Sequence, residues 1–528
     1  MAELTLEGLV RNAASAYPVK DAFIDGDVHL TFSEFDRLVD VFAAVLRDRG
    51  VGPGDRVAGL LFNQWEFSLT YFATLRLGAV IVPLNHRLVA SELAFQVKDA
   101  GVRVLVFAGE FAAVAHNLHQ RGSADVWIVV PSAAGDHWDR DVEWGSFAPE
   151  SLPELLDAYA GASPSVGSPV AAGDASAIWY TSGTTGRPKG AIVTHASTLW
   201  AASSLALTTR MNHHSRLLAV APMFHRGPTD TMHIACFMLG ATQTMLRSFS
   251  PTGLLKAIED NRSTHAFIVP AMTFGVLGLP GRGDYDLTSM ECWMSASAPL
   301  PVEYQGRMQE ETTLPAGRFY NAYGITEALL IGTLLPEQMD RAPSVGRAVP
   351  MCRVQILDGE RRALGPGEVG EIVVATPAMA SGYVGHPEDW AAVTFERDGL
   401  AWYASGDLGY VDAEGYLYIV DRAKDMVISG GENVYSAEVE EVLVGAPGVA
   451  EVAVIGTPSE QWGEAVTAVI VLEEGADASV ARVEEYCSGR LAGYKRPKVI
   501  RFVEALPRNS FGKVRKDQLR RDALGWRL

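Results

Sequence analysis

The first clear periodicity along the chain is helical. Phe35, Leu38, Phe42 and Val45 recur at spacings of three and four, Thr31 and Glu34 stand before them as a capping-box pair, and Gly50 offers a stop. Short β-branched runs follow at 56–61, 79–82, 102–107 and 126–130, each separated from the next by enough chain for a crossover helix. This alternation predicts an α/β first third. Between Asp157 and Asp174 the chain is dominated by Ala, Gly, Ser and Pro, which predicts a surface connection ahead of the apolar run 177–180. Strand-like runs at 352–357, 371–375 and 416–420, joined by Gly- and Pro-containing turns, predict a small, mostly β region. A hinge is placed near Arg422 to Asp425. Beyond it, the amphipathic Val439, Val442 and Leu443, strands at 449–455 and 465–472 and a helix at 480–491 predict a compact α+β domain. The boundaries are therefore 1–421 and 422–528, and no internal repeat is visible.

Composition narrows the class. At 528 residues and 48% hydrophobic positions the chain has ample material for buried cores. Its 63 acidic residues against 44 basic ones give a net charge of −19, which argues against nucleic acid or an anionic membrane as the main partner. The charge is uneven: residues 490–528 hold twelve Lys and Arg against Glu504, Asp517 and Asp522, a local +9 on a body of −28. That basic stretch suits a polyphosphate ligand, or it is a solvated surface. Cys236, Cys292, Cys352 and Cys487 are scattered, without metal-ligand or disulfide-framework spacing, so a reducing, cytoplasmic setting is expected. No run reaches the ~18 apolar residues of a membrane span.

The richest chemical signal is Tyr180-Thr-Ser-Gly-Thr-Thr-Gly-Arg-Pro-Lys-Gly190. Its three glycines free backbone N–H groups, and its hydroxyls and two cations add donors, which is what a triphosphate requires. It is not a Walker A loop: Pro188 precedes Lys189, Gly190 follows it, and 191–194 reads as strand rather than helix.

This stretch resembles the phosphate loop of the acyl-adenylate-forming enzymes, the superfamily of AMP-dependent acyl-CoA synthetases, adenylation domains and beetle luciferases. The resemblance continues in order through Pro222-Met-Phe-His225, Tyr323-Gly-Ile-Thr-Glu327, Gly370-Glu-Ile372, Tyr403-Ala-Ser-Gly-Asp407, Asp421-Arg-Ala-Lys-Asp425, Ser429-Gly-Gly-Glu-Asn433 and Asn509-Ser-Phe-Gly-Lys513. It implies a large N-terminal adenylating body of two α/β subdomains plus a small β-barrel, followed by a small mobile C-terminal domain. The implied reaction joins a carboxylic acid to CoA at the expense of ATP, with Mg²⁺, through an acyl adenylate. A stand-alone adenylating enzyme that loads an acyl carrier protein or another nucleophile, or an inactive nucleotide-binding protein, are the alternatives; the chain would be a monomer or homodimer.

The resemblance also implies roles. Thr181, Ser182, Gly183, Thr184, Thr185, Gly186 and Lys189 would cradle phosphates, with Thr184 and Glu327 at the metal. Tyr323 offers a flat face for adenine, Thr326 a donor to the α-phosphate and Glu327 a hard oxygen ligand. Asp407 and Arg422 would hold the ribose, Lys513 would serve adenylation, and Lys424 would be the hinge. Gly430 and Gly431 would admit a pantetheine arm, with Lys495 and Arg496 meeting the phosphates of CoA. His225, Arg226, Val269, Met272, Phe274, Ser295, Ala296, Ser297 and Ala298 would line the acyl pocket. Taken alone, Tyr323 is equally a core ring, Asp407 a turn residue, Lys513 surface charge and Arg226 half of a surface ion pair. Three departures from the family pattern stand out: Phe511 where many relatives have a hydroxyl residue, Ala296 where many have glycine, and Arg226 directly after His225. The first bears on how the loop before Lys513 is positioned; the other two favour a short, medium or aromatic acid with a second polar group.

Overall fold

The computed structural model describes residues 5–131, 148–163, 170–181, 188–296, 300, 302–429, 432–459, 462–473, 475–476, 479–488, 490–508 and 513–523. The chain separates into two compact units, Met1–Val354 with Val374–Tyr403, and Gln355–Val373 with Ala404–Leu528. No helix among the described residues is long and apolar enough to cross a membrane.

The first unit is built on two sheets. In one, strands run in the order Gly382–Tyr383, Lys189–Thr194, Ala175–Thr181, Val80–Pro83, Arg56–Leu60, Val102–Ala108, Val126–Val130 and Glu150–Ser151. Its central strands are parallel and buried on both faces, so they read as continuous Val, Ile and Leu runs rather than as an alternation. The expected helix is Phe32–Asp48, and its Thr31–Glu34 capping box forms in full.

The other sheet has nine strands: Arg347–Ala348, Leu329–Leu334, Phe319–Ile325, Cys292–Ser295, His265–Ile268, Arg216–Ala219, Thr242–Met245, Asp21–Asp25 and Val28–Thr31. Its middle is parallel and its two edges turn back antiparallel. The helix Pro251–Asn261 and the helix Pro270–Leu277 pack Leu254, Leu255, Ile258 and Val276 against Leu218, Ala266 and Trp293 of this sheet.

The three strands expected in the small β region are present at Arg353–Leu357, Gly370–Ala375 and Leu417–Arg422, and two that the sequence reading did not single out, Thr394–Arg397 and Leu400–Val411, join them. They form a branched path in which Leu417–Arg422 pairs only with Leu400–Val411, and no closing pair is described.

In the second unit, Gly463–Leu472 and Val449–Ser459 form a long antiparallel pair, joined by Val499–Phe502 running parallel to the first. Side chains alternate between the two faces. Val454, Val466 and Ile470 pack under the helix Ser436–Val444 and the helix Val480–Cys487; Ala453, Ile455 and Val469 pack with Leu506 and Leu519, the latter on the helix Lys516–Ala523. The expected helix over 480–491 stops at Cys487, because Ser488 turns extended (φ −69°, ψ 126°) and bridges to Leu491. Leu491 still joins the core, so its apolar signal belonged to the fold but not to the helix.

Candidate active site

Parallel strands set the positions. Arg216–Ala219, His265–Ile268, Cys292–Ser295 and Phe319–Ile325 end side by side, with Ile268 opposite Ser295 and Ser295 opposite Asn321. Residues just past those ends are His225, Val269 and Met272, Ala296, and Thr326 with Glu327. Open α/β sheets take ligands along this edge, since the loops leaving it can vary while the strands stay rigid. Segments far apart in sequence are thereby gathered on one edge of one sheet.

Desolvation, reinforced by the nearby positive charges of Arg87 and His86, lowers the His225 pKa to about 3 and keeps its ring neutral. Met272, Ser295 and Ala296 are buried, and the Ser295 hydroxyl has no hydrogen-bond partner among the described residues. Phe274 is exposed, with its ring 4.6 Å from that of Tyr304. Ser297 and Ala298 lie outside the described residues.

Glu327 sits in the tight turn between Phe319–Ile325 and Leu329–Leu334. The pairing slips between Tyr323 and Gly324, bringing the backbone of Leu329 so close that a Cβ on Gly324 would fall 2.0 Å from its carbonyl oxygen. Only glycine fits there. The Tyr383 hydroxyl donates to Glu327 Oε1 at 2.7 Å and lies 3.2 Å from the Tyr403 hydroxyl. Burial, then the Glu327 and Tyr403 charges, push the Tyr383 pKa up, so it stays protonated as a donor. The Ala380 N–H also donates to the Glu327 carbonyl at 2.7 Å.

Arg226 is neither a free cation nor part of a surface pair. It and Asp230 are fully buried, one helical turn apart, with Nε 3.0 Å from Asp230 Oδ2. Nη1 donates to the Thr326 carbonyl at 2.6 Å and Nη2 to the Ala378 carbonyl at 2.9 Å. Asp230 also accepts from Tyr71 at 3.2 Å and from Thr198 at 3.1 Å.

The phosphate hairpin joins Ala175–Thr181 to Lys189–Thr194, with Thr181 opposite Lys189 at its described ends. Ser182, Gly183, Thr184, Thr185 and Gly186 lie outside the described residues. Lys189 Nζ pairs with Asp389 at 2.9 Å and stands 5.4 Å from the Tyr383 ring centroid. A side chain on Gly190 would begin 2.7 Å from Ile178 Cγ2, so the lysine is followed by a residue that lets the two strands close.

In the second unit, Asp407 and Arg422 face each other across Leu400–Val411 and Leu417–Arg422, with Nε 3.3 Å from Oδ1. Ser405 Oγ accepts from the Asp407 N–H and donates to the Ile372 carbonyl, fixing the turn at Gly406. The Lys513 side chain keeps an open face to solvent, yet the protein around it desolvates the ammonium, and Arg422 adds repulsion that Asp407 and Asp425 only partly offset. Its pKa is lowered to about 8.

Lys424 is likewise lowered by desolvation. It is flanked by Asp421, which accepts from the N–H and hydroxyl of Ser436, and by Asp425, which binds Arg520 at 2.9 Å. Lys495 grips both oxygens of Glu438 at 2.6 and 2.8 Å, and Arg496 Nε donates to the Leu491 carbonyl at 2.9 Å. Gly430 and Gly431 lie outside the described residues. Sequence reasoning missed Tyr383, Asp230 and Asp389; each is defined by a partner distant along the chain or by burial, which a linear motif does not display.

Among the described residues no three His, Cys, Asp or Glu side chains cluster as a protein-built metal cage. Magnesium is ordinarily held by one or two carboxylates plus substrate phosphates, and the half-exposed Glu327, oriented through a single oxygen by Tyr383, fits that arrangement.

The chain matches the AMP-binding enzyme family over residues 10–384 and the AMP-binding enzyme C-terminal domain over residues 438–513. It therefore belongs to the AMP-binding enzyme family. It is 37% identical over 507 residues to a feruloyl-CoA synthase of Amycolatopsis sp, covering 96% of both chains. Identity to the long-chain-fatty-acid–CoA ligase FadD13 of Mycobacterium tuberculosis is 36% over 521 residues, covering 97% of both. ATP-bound MatB from Rhodopseudomonas palustris shares the fold with a TM-score of 0.86 at 30% identity, covering 98% of this chain and 99% of that one. The chain is an AMP-forming acid–thiol ligase that uses ATP and CoA to turn a carboxylic acid into its acyl adenylate and then its thioester.

Proposed function

We propose that the acid is a short, medium or aromatic monocarboxylic acid bearing an uncharged polar group. The observation behind this is the buried Arg226–Asp230 pair beside a neutral His225: neither offers the unpaired cation that a second carboxylate would need. Ser295, buried and with no hydrogen-bond partner for its hydroxyl among the described residues, supplies a hydrogen-bonding group suited to a neutral polar substituent. The similarity to a feruloyl-CoA synthase supports an aromatic acid.

In the first half-reaction a carboxylate oxygen attacks the α-phosphorus of ATP and the bond to pyrophosphate breaks. Two anions must meet, so positioning and charge neutralisation are the main requirement. Lys189 would leave Asp389 for the phosphates, and Lys513 would neutralise the α-phosphate and the attacking oxygen. Tyr323 would stack on adenine, Thr326 would donate to the α-phosphate, and Asp407 with Arg422 would hold the ribose. Glu327 and Thr184 would hold magnesium, which when bound offsets phosphate charge. In the second half-reaction the CoA sulfur attacks the acyl carbon, the thiol proton passes to solvent and AMP leaves. Gly430 and Gly431 would admit the pantetheine arm, and Lys495 and Arg496 would exchange their present partners for CoA phosphates. We assign adenylation to residues 1–421 and the mobile, thiol-directing part to 422–528, turning at Lys424. The four buried, unpaired cysteines suit a reducing cytoplasm.

The test is incubation with ATP, Mg²⁺, CoA and a panel of fatty, aromatic, hydroxy and dicarboxylic acids, following AMP and acyl-CoA by mass spectrometry, with Lys513→Ala as control. Turnover of aromatic or short-to-medium monocarboxylates, lost in the control, is expected. Activity confined to palmitate or to dicarboxylates would overturn the substrate assignment, and AMP without acyl-CoA would move the acceptor to a carrier protein.

A further inference from the structure

We propose that Arg226 is a positioning residue for the metal-binding carboxylate, clamping both sides of the Glu327 turn, and takes no part in recognising the acid. This rests on the assignment of Glu327 to the magnesium-nucleotide site. The clamp is explicit in the hydrogen bonds. On one side Nη1 holds the carbonyl of Thr326, the residue directly before Glu327. On the other, Nη2 holds the carbonyl of Ala378, in the segment that returns to Glu327 twice, through the Ala380 N–H to its backbone oxygen and the Tyr383 hydroxyl to its carboxylate. One planar guanidinium thus spans two chain segments that are hydrogen-bonded to each other through Glu327.

The guanidinium is itself fixed. Nε binds Asp230, which Tyr71 and Thr198 hold from two other helices, so the charge is neutralised and its direction set. The helix bearing the pair widens to a π turn at Thr229–His233, which includes Asp230. Such turns are local departures from α geometry found disproportionately at functional sites. Arg226 also lies close enough to Glu327 for mutual attraction. A lysine cannot replace it, because a single ammonium on a flexible stem lacks the planar fork that reaches Asp230, Thr326 and Ala378 together.

Breaking a buried ion pair from one side leaves an unpaired charge and can unfold the chain, so the decisive variant removes both partners: Arg226→Met with Asp230→Leu. Arg226→Lys is the conservative companion. Each is compared with wild type by thermal melting, by calorimetric ATP affinity with and without Mg²⁺, and by pyrophosphate exchange with a turned-over acid. The double variant is expected to melt within a few degrees of wild type while losing roughly tenfold or more of the Mg²⁺-dependent gain in ATP affinity, the scale of one or two charge-assisted hydrogen bonds. Its acid KM should stay unchanged, and kcat should fall in step with the metal effect. Arg226→Lys should recover only part of the loss, and Glu327→Gln added to the double variant should cost little more, since both act on one carboxylate.

A double variant that keeps the full Mg²⁺ gain overturns the proposal, as does a raised acid KM with metal dependence intact. If wild type forms no AMP with any acid, the functional reading fails instead, and the calorimetric Mg²⁺ gain alone decides the role of Arg226. Should wild-type ATP affinity itself prove indifferent to Mg²⁺, both fall together.

Discussion

Lys513 carries an ammonium whose pKa is lowered to about 8 by desolvation and by Arg422. In the adenylation role proposed for Lys513 the protonated form is the useful one, so the acid-dependent kcat/KM of pyrophosphate exchange should fall tenfold per pH unit above about 8, because that quantity reports the free enzyme. Lys513→Arg should shift this alkaline limb past pH 10 at a lower plateau, since guanidinium holds its proton there. A wild-type profile flat to pH 10 would remove Lys513 from the role. At this scale the motif residues were legible in sequence, because an ordered series of short patterns survives without knowledge of the fold. Their partners were not. Arg226 and Asp230 stand one turn apart, a pairing that could have been noticed, but the carbonyls of Thr326 and Ala378 reach Arg226 only after the sheet and its loops have formed.

Among the elements, the hairpin around Glu327 makes the sharpest demand on sequence. Gly324 stands where the register slips, and a methyl group there would lie inside the Leu329 carbonyl. Gly324→Ala should therefore force the two strands apart, lowering stability by ~3 kcal/mol or more and abolishing adenylation through displacement of Tyr323, Thr326 and Glu327. Thermal melting together with pyrophosphate exchange checks this, and an unchanged melt with normal exchange would contradict it. The parallel strands were readable because strands buried on both faces are continuous apolar runs. The end of the Val480–Cys487 helix was misread for a related reason: Leu491 is apolar at helical spacing, and periodicity does not distinguish a helix from a bridge that points into the same core.

For the whole molecule, the residues proposed to meet the nucleotide fall on both compact units: Lys189, Tyr323, Thr326 and Glu327 on the first, Asp407, Arg422 and Lys513 on the second. If the two half-reactions need different arrangements about Lys424, fixing its backbone should separate them. Lys424→Pro is expected to retain most pyrophosphate exchange while reducing acyl-CoA formation at least a hundredfold, checked by supplying synthetic acyl adenylate with CoA. Equal loss of both steps would exclude a hinge at that position. The two-part architecture was readable from the change in strand and helix rhythm near residue 422, whereas the allocation of Gln355–Val373 and Ala404–Asp421 to the second unit depends on packing alone. The second unit also holds residues 490–528, with their local charge of +9 against −28 elsewhere. ATP and CoA are polyanions that this stretch would draw in, yet Lys495, Arg508, Lys516 and Arg520 are already engaged by Glu438, Glu451, Glu440 and Asp425, acids that lie outside it. The pull on an arriving nucleotide is therefore weaker than the sequence charge of the stretch suggests, and added salt, by shortening the reach of what is left, should slow capture of the nucleotides more than capture of the singly charged acid.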